Sequence, residues 1–401
     1  MTRRRRWTMA LLGACLCATG WAQPAAPVKV GLIAPLSGGS SDLGLSMRHA
    51  AELAVKEINA VGGYMGRPLE LVVRDDQSDP QQGRQAAQEL VQQEKVAFTL
   101  GFCDTEVTVQ ALEIFQSRRH VLMVPCDQGT AVMARPPAGG GYVFRLAPPD
   151  ELTARVLVGE IVDRRKLRKV AVLADRTTHG DSGLKDLGEE LAQRELKPVY
   201  VGRFDRGVKS LVEEMRQARA AGSEALIVWA RAPDQATALR ARSELRWAVP
   251  YFAPPTLASR KALEGAGVAA LEGAVMTQTV HLDAANERRA TFLTSYFAHS
   301  GEKRIGSLTV AAQTYDAVYL LVAGLFQSRS PEGGEPLKLA LENLERPHRG
   351  VVTTYERPYT ARDHEAYSIN MLWLGVWRGG EVQFLYPIDA QRASVIRRKE
   401  F

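Results

Sequence analysis

The sequence predicts an α/β protein of two doubly wound parallel-sheet lobes, joined by a hinge of three strand-like crossovers. Three observations predict it. Apolar strand-like runs alternate with amphipathic helical runs from Val28 to Leu146. The alternation restarts at Glu151 and continues to Thr279. The final third adds helices and a few late strands but no third unit, as expected if the chain crosses back to complete both lobes.

Val28 to Ala34 reads as a buried strand, an apolar run broken only by Lys29 and Gly31. Gly44 to Val61 follows with helical spacing and stops at Gly62-Gly63. Leu69 to Arg74, Val96 to Gly101, Val121 to Pro125 and Tyr142 to Leu146 read as further strands. Helices over Pro80 to Val91 and Asp104 to Gln116 separate the earlier ones. In the second unit, helices are expected over Glu151 to Val162, Ser182 to Arg194, Val208 to Ala221 and Gln235 to Leu245. Its strands are Lys169 to Ala174, Pro198 to Phe204, Ala225 to Ala230, Val249 to Ala253 and Ala274 to Thr279. The last third reads as helices at Glu287 to His299, Thr309 to Gln327 and Pro336 to Leu344. Strand-like runs close the chain at Val351 to Tyr355, Ile369 to Val376 and Val382 to Tyr386. Crossovers near Leu146 to Asp150, Val280 to Asp283 and Thr354 to Pro358 then divide the chain. Residues 27–147 with 283–354 form the first lobe, and 148–282 with 355–401 the second.

The front end has the grammar of a secretory signal, here residues 1–22. A positive cluster, Arg3 to Arg6, precedes a short apolar run and small residues at Gly20 and Ala22 before Gln23. The apolar run is too short to span a bilayer. No later stretch reaches that length. Leu12-Gly13-Ala14-Cys15 resembles a lipobox, but the apolar run before Cys15 is only a few residues, so soluble export to the periplasm is expected over lipid anchoring. The chain of 401 residues carries +6, and removing the four signal arginines leaves +2. Without a basic stripe on the folded part, no nucleic-acid partner is expected.

Ligands of open parallel sheets bind outside the carboxyl ends of the strands, where loops meet helix N-termini. That rule selects the loops Ser37 to Asp42, Asp75 to Asp79, Gly101 to Thr105 and Pro125 to Thr130 in the first lobe. In the second it selects Asp175 to Asp181, Arg231 to Asp234 and Pro254 to Thr256. Ser37, in the first of these loops, and Trp229, at the end of an apolar run, are candidate ligand contacts, with loop solvation and core packing as the bland alternatives, and Asp104 would suit a ligand with a donor or cationic end. Asp75-Asp76 reads as a structural turn. Gly-x-Ser-x-Gly, a Walker loop and Gly-x-Gly-x-x-Gly are absent, so neither an enzyme nor a cofactor is expected. The seven histidines show no i, i+4 metal spacing and no metal site is expected. Cys103 and Cys126 end the third and fourth expected strands. If those strands are neighbours, their Cα atoms lie about 5 Å apart, within disulfide range. The alternative is two buried thiols.

The opening Gly31-Leu32-Ile33-Ala34-Pro35-Leu36-Ser37-Gly38 belongs with three further stretches. They are Glu57 to Gly63 with Gly66-Arg67-Pro68-Leu69, Arg74 to Pro80, and Gln313-Thr314-Tyr315-Asp316-Ala317. Together they resemble the periplasmic solute-binding proteins of ABC importers, of the branched-chain amino-acid (Leu/Ile/Val-binding) type, with the type I Venus-flytrap fold. The resemblance implies a carboxylate grip from Thr105 and from the loop carrying Asp127, Gly129 and Thr130. It places His179 where the family often has an aromatic residue, with Trp229 and Arg231 flanking the next position. Thr256 stands where an acid would receive the ligand's ammonium, which argues against a plain α-amino acid.

The expected function is therefore capture of a small polar organic ligand (an amino acid, amide, or carboxylate-bearing or aromatic acid) and its delivery to ABC importer permease subunits in the inner membrane. A monomer suits delivery. The alternative is a ligand sensor that docks on a sensor kinase or chemoreceptor.

Overall fold

The computed structural model describes residues 26–134, 137, 141–282, 286–393 and 397–400. The expected signal segment 1–22 and Cys15 lie outside these residues, as does Asp283 of the second expected crossover.

The first sheet holds β1 (Val28–Ala34), β2 (Leu69–Asp75), β3 (Thr99–Leu100), β4 (Leu122–Val124) and β5 (Val143–Arg145). Its order is β2-β1-β3-β4-β5 and every pairing is parallel. The unbroken apolar run of β1 is explained by burial on both faces. Val30 and Leu32 enter one core with Met47 and Leu321, while Ile33 enters the opposite core with Phe102 and Phe115. The helix Leu308–Ser328 lies in the first of these cores. By length and composition alone its 21 residues would suit a membrane span, whereas no stretch of that length is expected from the sequence after the signal. Most of its residues are buried inside the protein, which accounts for its apolar character.

The second sheet contains β6 (Val170–Asp175), β7 (Tyr200–Phe204), β8 (Ala225–Trp229), β9 (Tyr251–Ala253) and β10 (Val275–Gln278). After a small β11–β12 hairpin (His348–Arg349 with Thr354–Tyr355), β13 (Trp373–Arg378) and β14 (Glu381–Phe384) complete it. The order is β14-β13-β10-β9-β8-β6-β7. Alternation is clean: Ala171, Leu173, Leu226 and Val228 face one core, Val172, Ala174, Ile227 and Trp229 the other. This sheet is not wholly parallel, because β13 pairs antiparallel with β10, and β14 with β13. Gly379 and Gly380, at φ of 58° and 85°, make the tight turn that reverses the chain.

The third crossing falls later than Thr354 to Pro358. Residues expected in the second lobe return first to the core of the first. Tyr359, Ala366, Tyr367 and Met371 share that core with Phe144 and Val318. Glu365 pairs with the buried Arg145, and the Ala366 amide donates to the Arg145 carbonyl. His364 stacks on Phe144 with ring centroids 3.9 Å apart. The chain then joins the second sheet at Trp373. The expected strand over Ile369 to Val376 accordingly begins only at Trp373, after a short 3₁₀ turn at Ile369–Met371. The run Val351 to Tyr355 is a strand only at Thr354–Tyr355. Asp316 holds the preceding stretch in place, since its carboxylate accepts from the Val351 and Val352 amides at 2.7 and 2.9 Å.

Candidate functional site

The carboxyl ends of the two sheets face each other, and five loops meet there around a small cavity. Cys103, Asp127 and Gln128 line it from the first sheet, and His179, Arg231 and Thr256 from the second. Ser307, Thr309 and Val310, at the start of the long core helix, close one side. The cavity is about 20 Å³, room for about one water. The lobes are thus closed on one another.

Arg231 directly precedes the helix Ala232–Glu244, and its side chain crosses the cleft. It donates to the Cys103 carbonyl at 2.8 Å and pairs with the Asp104 carboxylate at 2.8 Å. Arg206 reaches the same carboxylate at 3.0 Å, and Ser40 donates to it at 3.0 Å. Asp104 precedes the helix Thr105–Ser117, a position where negative charge is favoured. Burial pushes the Asp104 carboxyl up, but the Arg231 and Arg206 guanidinium groups outweigh it and hold it below the ordinary carboxylate range.

Asp127 is fully enclosed. It accepts from Thr105 Oγ1 at 2.8 Å, from the Gly129 amide at 3.0 Å and from Thr108. Burial raises its pKa despite these bonds. Thr105 is therefore spent on Asp127. Gly129 packs against Thr105 so closely that a Cβ would lie 2.5 Å from it. Arg145 anchors this loop from beneath, donating to the Gln128 and Gly129 carbonyls at 3.1 and 2.8 Å. The next residue, Thr130, donates across the lobe boundary to Asp186 at 2.6 Å.

His179 sits 3.2 Å from Asp150 through Nδ1, while its buried Nε2 has no hydrogen-bond partner. Burial pulls its pKa down, but the Asp150 carboxylate outweighs that and raises it above the usual histidine value. Thr256 accepts from Gln235 at 3.0 Å and lines the cavity.

Two expected contacts lie elsewhere. Ser37 is exposed and donates to Asp75 at 2.7 Å, so it stitches the acidic turn. Trp229 is buried in the second lobe's core, its indole against Gly183, rather than in the cavity wall. Cys103 and Cys126 form a disulfide with Cα atoms 4.8 Å apart, bracing the bases of two cleft loops.

Sequence reasoning missed Arg206, Ser40 and Lys261. Arg206 follows β7, in a carboxyl-end loop that the same strand-end rule covers. Lys261 bridges the lobes by donating from its amide to Asp42 and from Nζ to the Gly39 carbonyl. No local signal marks it.

Two α/β lobes closing their strand ends on a polar cleft define a two-lobed ligand-binding protein. The chain belongs to the periplasmic binding protein family, whose sequence model matches residues 27–371. It is 29% identical over 220 residues to an amino acid binding protein of Pseudomonas aeruginosa, covering 55% of this chain and 58% of that protein. It is 32% identical over 161 residues to a Leu/Ile/Val-binding protein homologue of Brucella melitensis, covering 40% and 42%. The matches thus span about half the length of these curated relatives. Among solved structures, a type 1 periplasmic binding protein from Bordetella pertussis superposes with a TM-score of 0.80 at 21% identity, covering 89% of this chain and 99% of that one. A branched-chain amino acid transporter substrate-binding protein from Streptococcus pneumoniae, in complex with isoleucine, gives 0.77 at 18% identity over 89% and 98%. A solute-binding protein from R. palustris in complex with benzoate gives 0.75 at 18% identity over 90% and 95%.

Proposed function

We propose that this protein is an exported solute-binding protein that captures a small polar organic ligand between its lobes and delivers it to the permease subunits of an ABC importer. The observation that carries this reading is the charged contact across the cleft, Arg231 from one lobe and Asp104 from the other, beside a histidine nitrogen without a partner. A ligand with an anionic group and a donor or cationic group can separate that pair and satisfy both halves. Its carboxylate takes Arg231, and its donor end takes Asp104 or Asp127. Contacts from both lobes then favour the closed, loaded state. The relatives' names and the isoleucine and benzoate held by two similar folds support small carboxylate-bearing ligands as the class to screen. The family's periplasmic setting supports export, and Cys103–Cys126 suits an oxidising compartment.

The test is a thermal-shift screen of the chain from Gln23 against amino acids, aromatic acids, dicarboxylates and amides, followed by calorimetry. A ligand of the native state raises the midpoint by mass action. A carboxylate that shifts the wild type but not Arg231→Ala supports the reading. A ligand bound equally well by that variant places the grip elsewhere, and no shift with any class argues against solute capture.

A further inference from the structure

A second cluster lies away from the cleft, on the first lobe, where two helices far apart in sequence come together. His49 and Glu52 sit three residues apart on the helix Ser41–Ala60, and His299 on the helix Glu287–Ser300. We infer that His49, Glu52 and His299 form a binding site for a divalent transition metal of the zinc type.

The geometry carries the inference. Glu52 Oε2 lies 3.4 Å from His299 Nε2 and 3.8 Å from His49 Nδ1, and all three ligand atoms fall within 4.8 Å of one another. A tetrahedral ion with bonds of about 2.0–2.1 Å needs ligand atoms roughly 3.3–3.4 Å apart. The cluster therefore requires small side-chain rotations and no backbone movement. The carboxylate is already divided between two tasks. Arg48 Nε donates to Oε1 at 2.7 Å, leaving Oε2 to face both imidazoles. Such outer contacts orient metal-binding carboxylates. The three side chains are each 20–28% exposed, so an ion can enter and a water can complete its shell. Two imidazoles and one carboxylate select zinc, copper or nickel over calcium and magnesium, which take oxygen ligands.

The sequence could not show this site, because 247 positions separate His299 from Glu52. A bound ion would tie the first helix of the lobe to one that follows the second crossing. It would stabilise the lobe without entering the ligand cleft.

The test uses tag-free chain from Gln23, stripped with EDTA, titrated with Zn²⁺ by calorimetry and with Co²⁺ by visible absorption. One ion per chain is expected, with the absorption of four-coordinate Co²⁺. His49→Gln and His299→Gln should each weaken binding by about tenfold or more. Mg²⁺ at the same concentration should give no heat. Both histidines are partly exposed, so the variants should fold, and far-UV circular dichroism checks each; should one unfold, the other gives the same reading. Absence of Zn²⁺ binding by the wild type, or equal binding by a folded variant, overturns the inference.

Discussion

The Arg231 guanidinium lies 2.8 Å from the Asp104 carboxylate, and the boundary between the two lobes runs between them. Both side chains are buried, so their attraction is poorly screened by solvent. Arg206 shares the load from the same lobe as Arg231.

Arg231→Ala should therefore loosen closure. Removing one partner of a buried pair costs about 3–5 kcal/mol, and Arg206 should retain part of that, leaving roughly 2–3 kcal/mol. Small-angle scattering should show a larger radius of gyration for the variant than for the wild type. Identical scattering curves would mean that the pair does not hold the lobes together.

The Cys103–Cys126 bridge has a sequence separation of 23. A loop of that size constrains the unfolded chain by about 3 kcal/mol in the chain-entropy picture. Urea melts with and without reductant should differ by that order, and a double Cys→Ala variant should melt like the reduced wild type and ignore reductant.

Asp76 is buried beside the cleft, and its pKa is pushed up from 3.8 to about 7, chiefly by burial. A carboxyl raised in the folded state contributes stability that is fully present below pH 3.8 and is lost as pH rises through 7. Asp76→Asn keeps an oxygen for the Ser78 amide, now 2.9 Å from Asp76 Oδ1, and removes the charge. The variant should gain about 1–3 kcal/mol over the wild type at pH 7.5 and nothing at pH 3.5. A constant difference across that range would contradict the assignment.

Gly183 meets the indole of Trp229 so closely that a methyl would lie 2.2 Å from Nε1. Gly183→Ala should cost about 1–3 kcal/mol by overpacking. Trp229→Phe in the same chain should recover part of the loss. Without such recovery the clash lies with another neighbour.

Strands buried on both faces were legible because their runs are nearly unbroken, as in Val170 to Asp175, and so were the cleft loops that follow them. Asp127, His179, Arg231 and Thr256 come from such loops and line one cavity. What pattern does not carry is direction within a loop. Ser37 and Ser40 are three residues apart, yet one turns to Asp75 and the other to Asp104. Trp229 ends its strand with its side chain in phase with Ile227, a strand parity that points it into the core. The path of residues 355–371 was misplaced because their affinity for the first lobe rests on long-range partners. Tyr359 finds Met123 and Glu365 finds Arg145, more than 200 positions away in each case.

That late return sets an order of events for a chain made from its N-terminus. The strands β6 to β10 and their helices form one contiguous stretch and need few distant partners to begin packing. The lobe made first must wait for Asp316, Tyr359 and Glu365 before its core is filled and Arg145 is neutralised. Contacts of such long sequence separation are slow to form. The earliest residues of this protein should therefore be the last to become protected from hydrogen exchange during refolding.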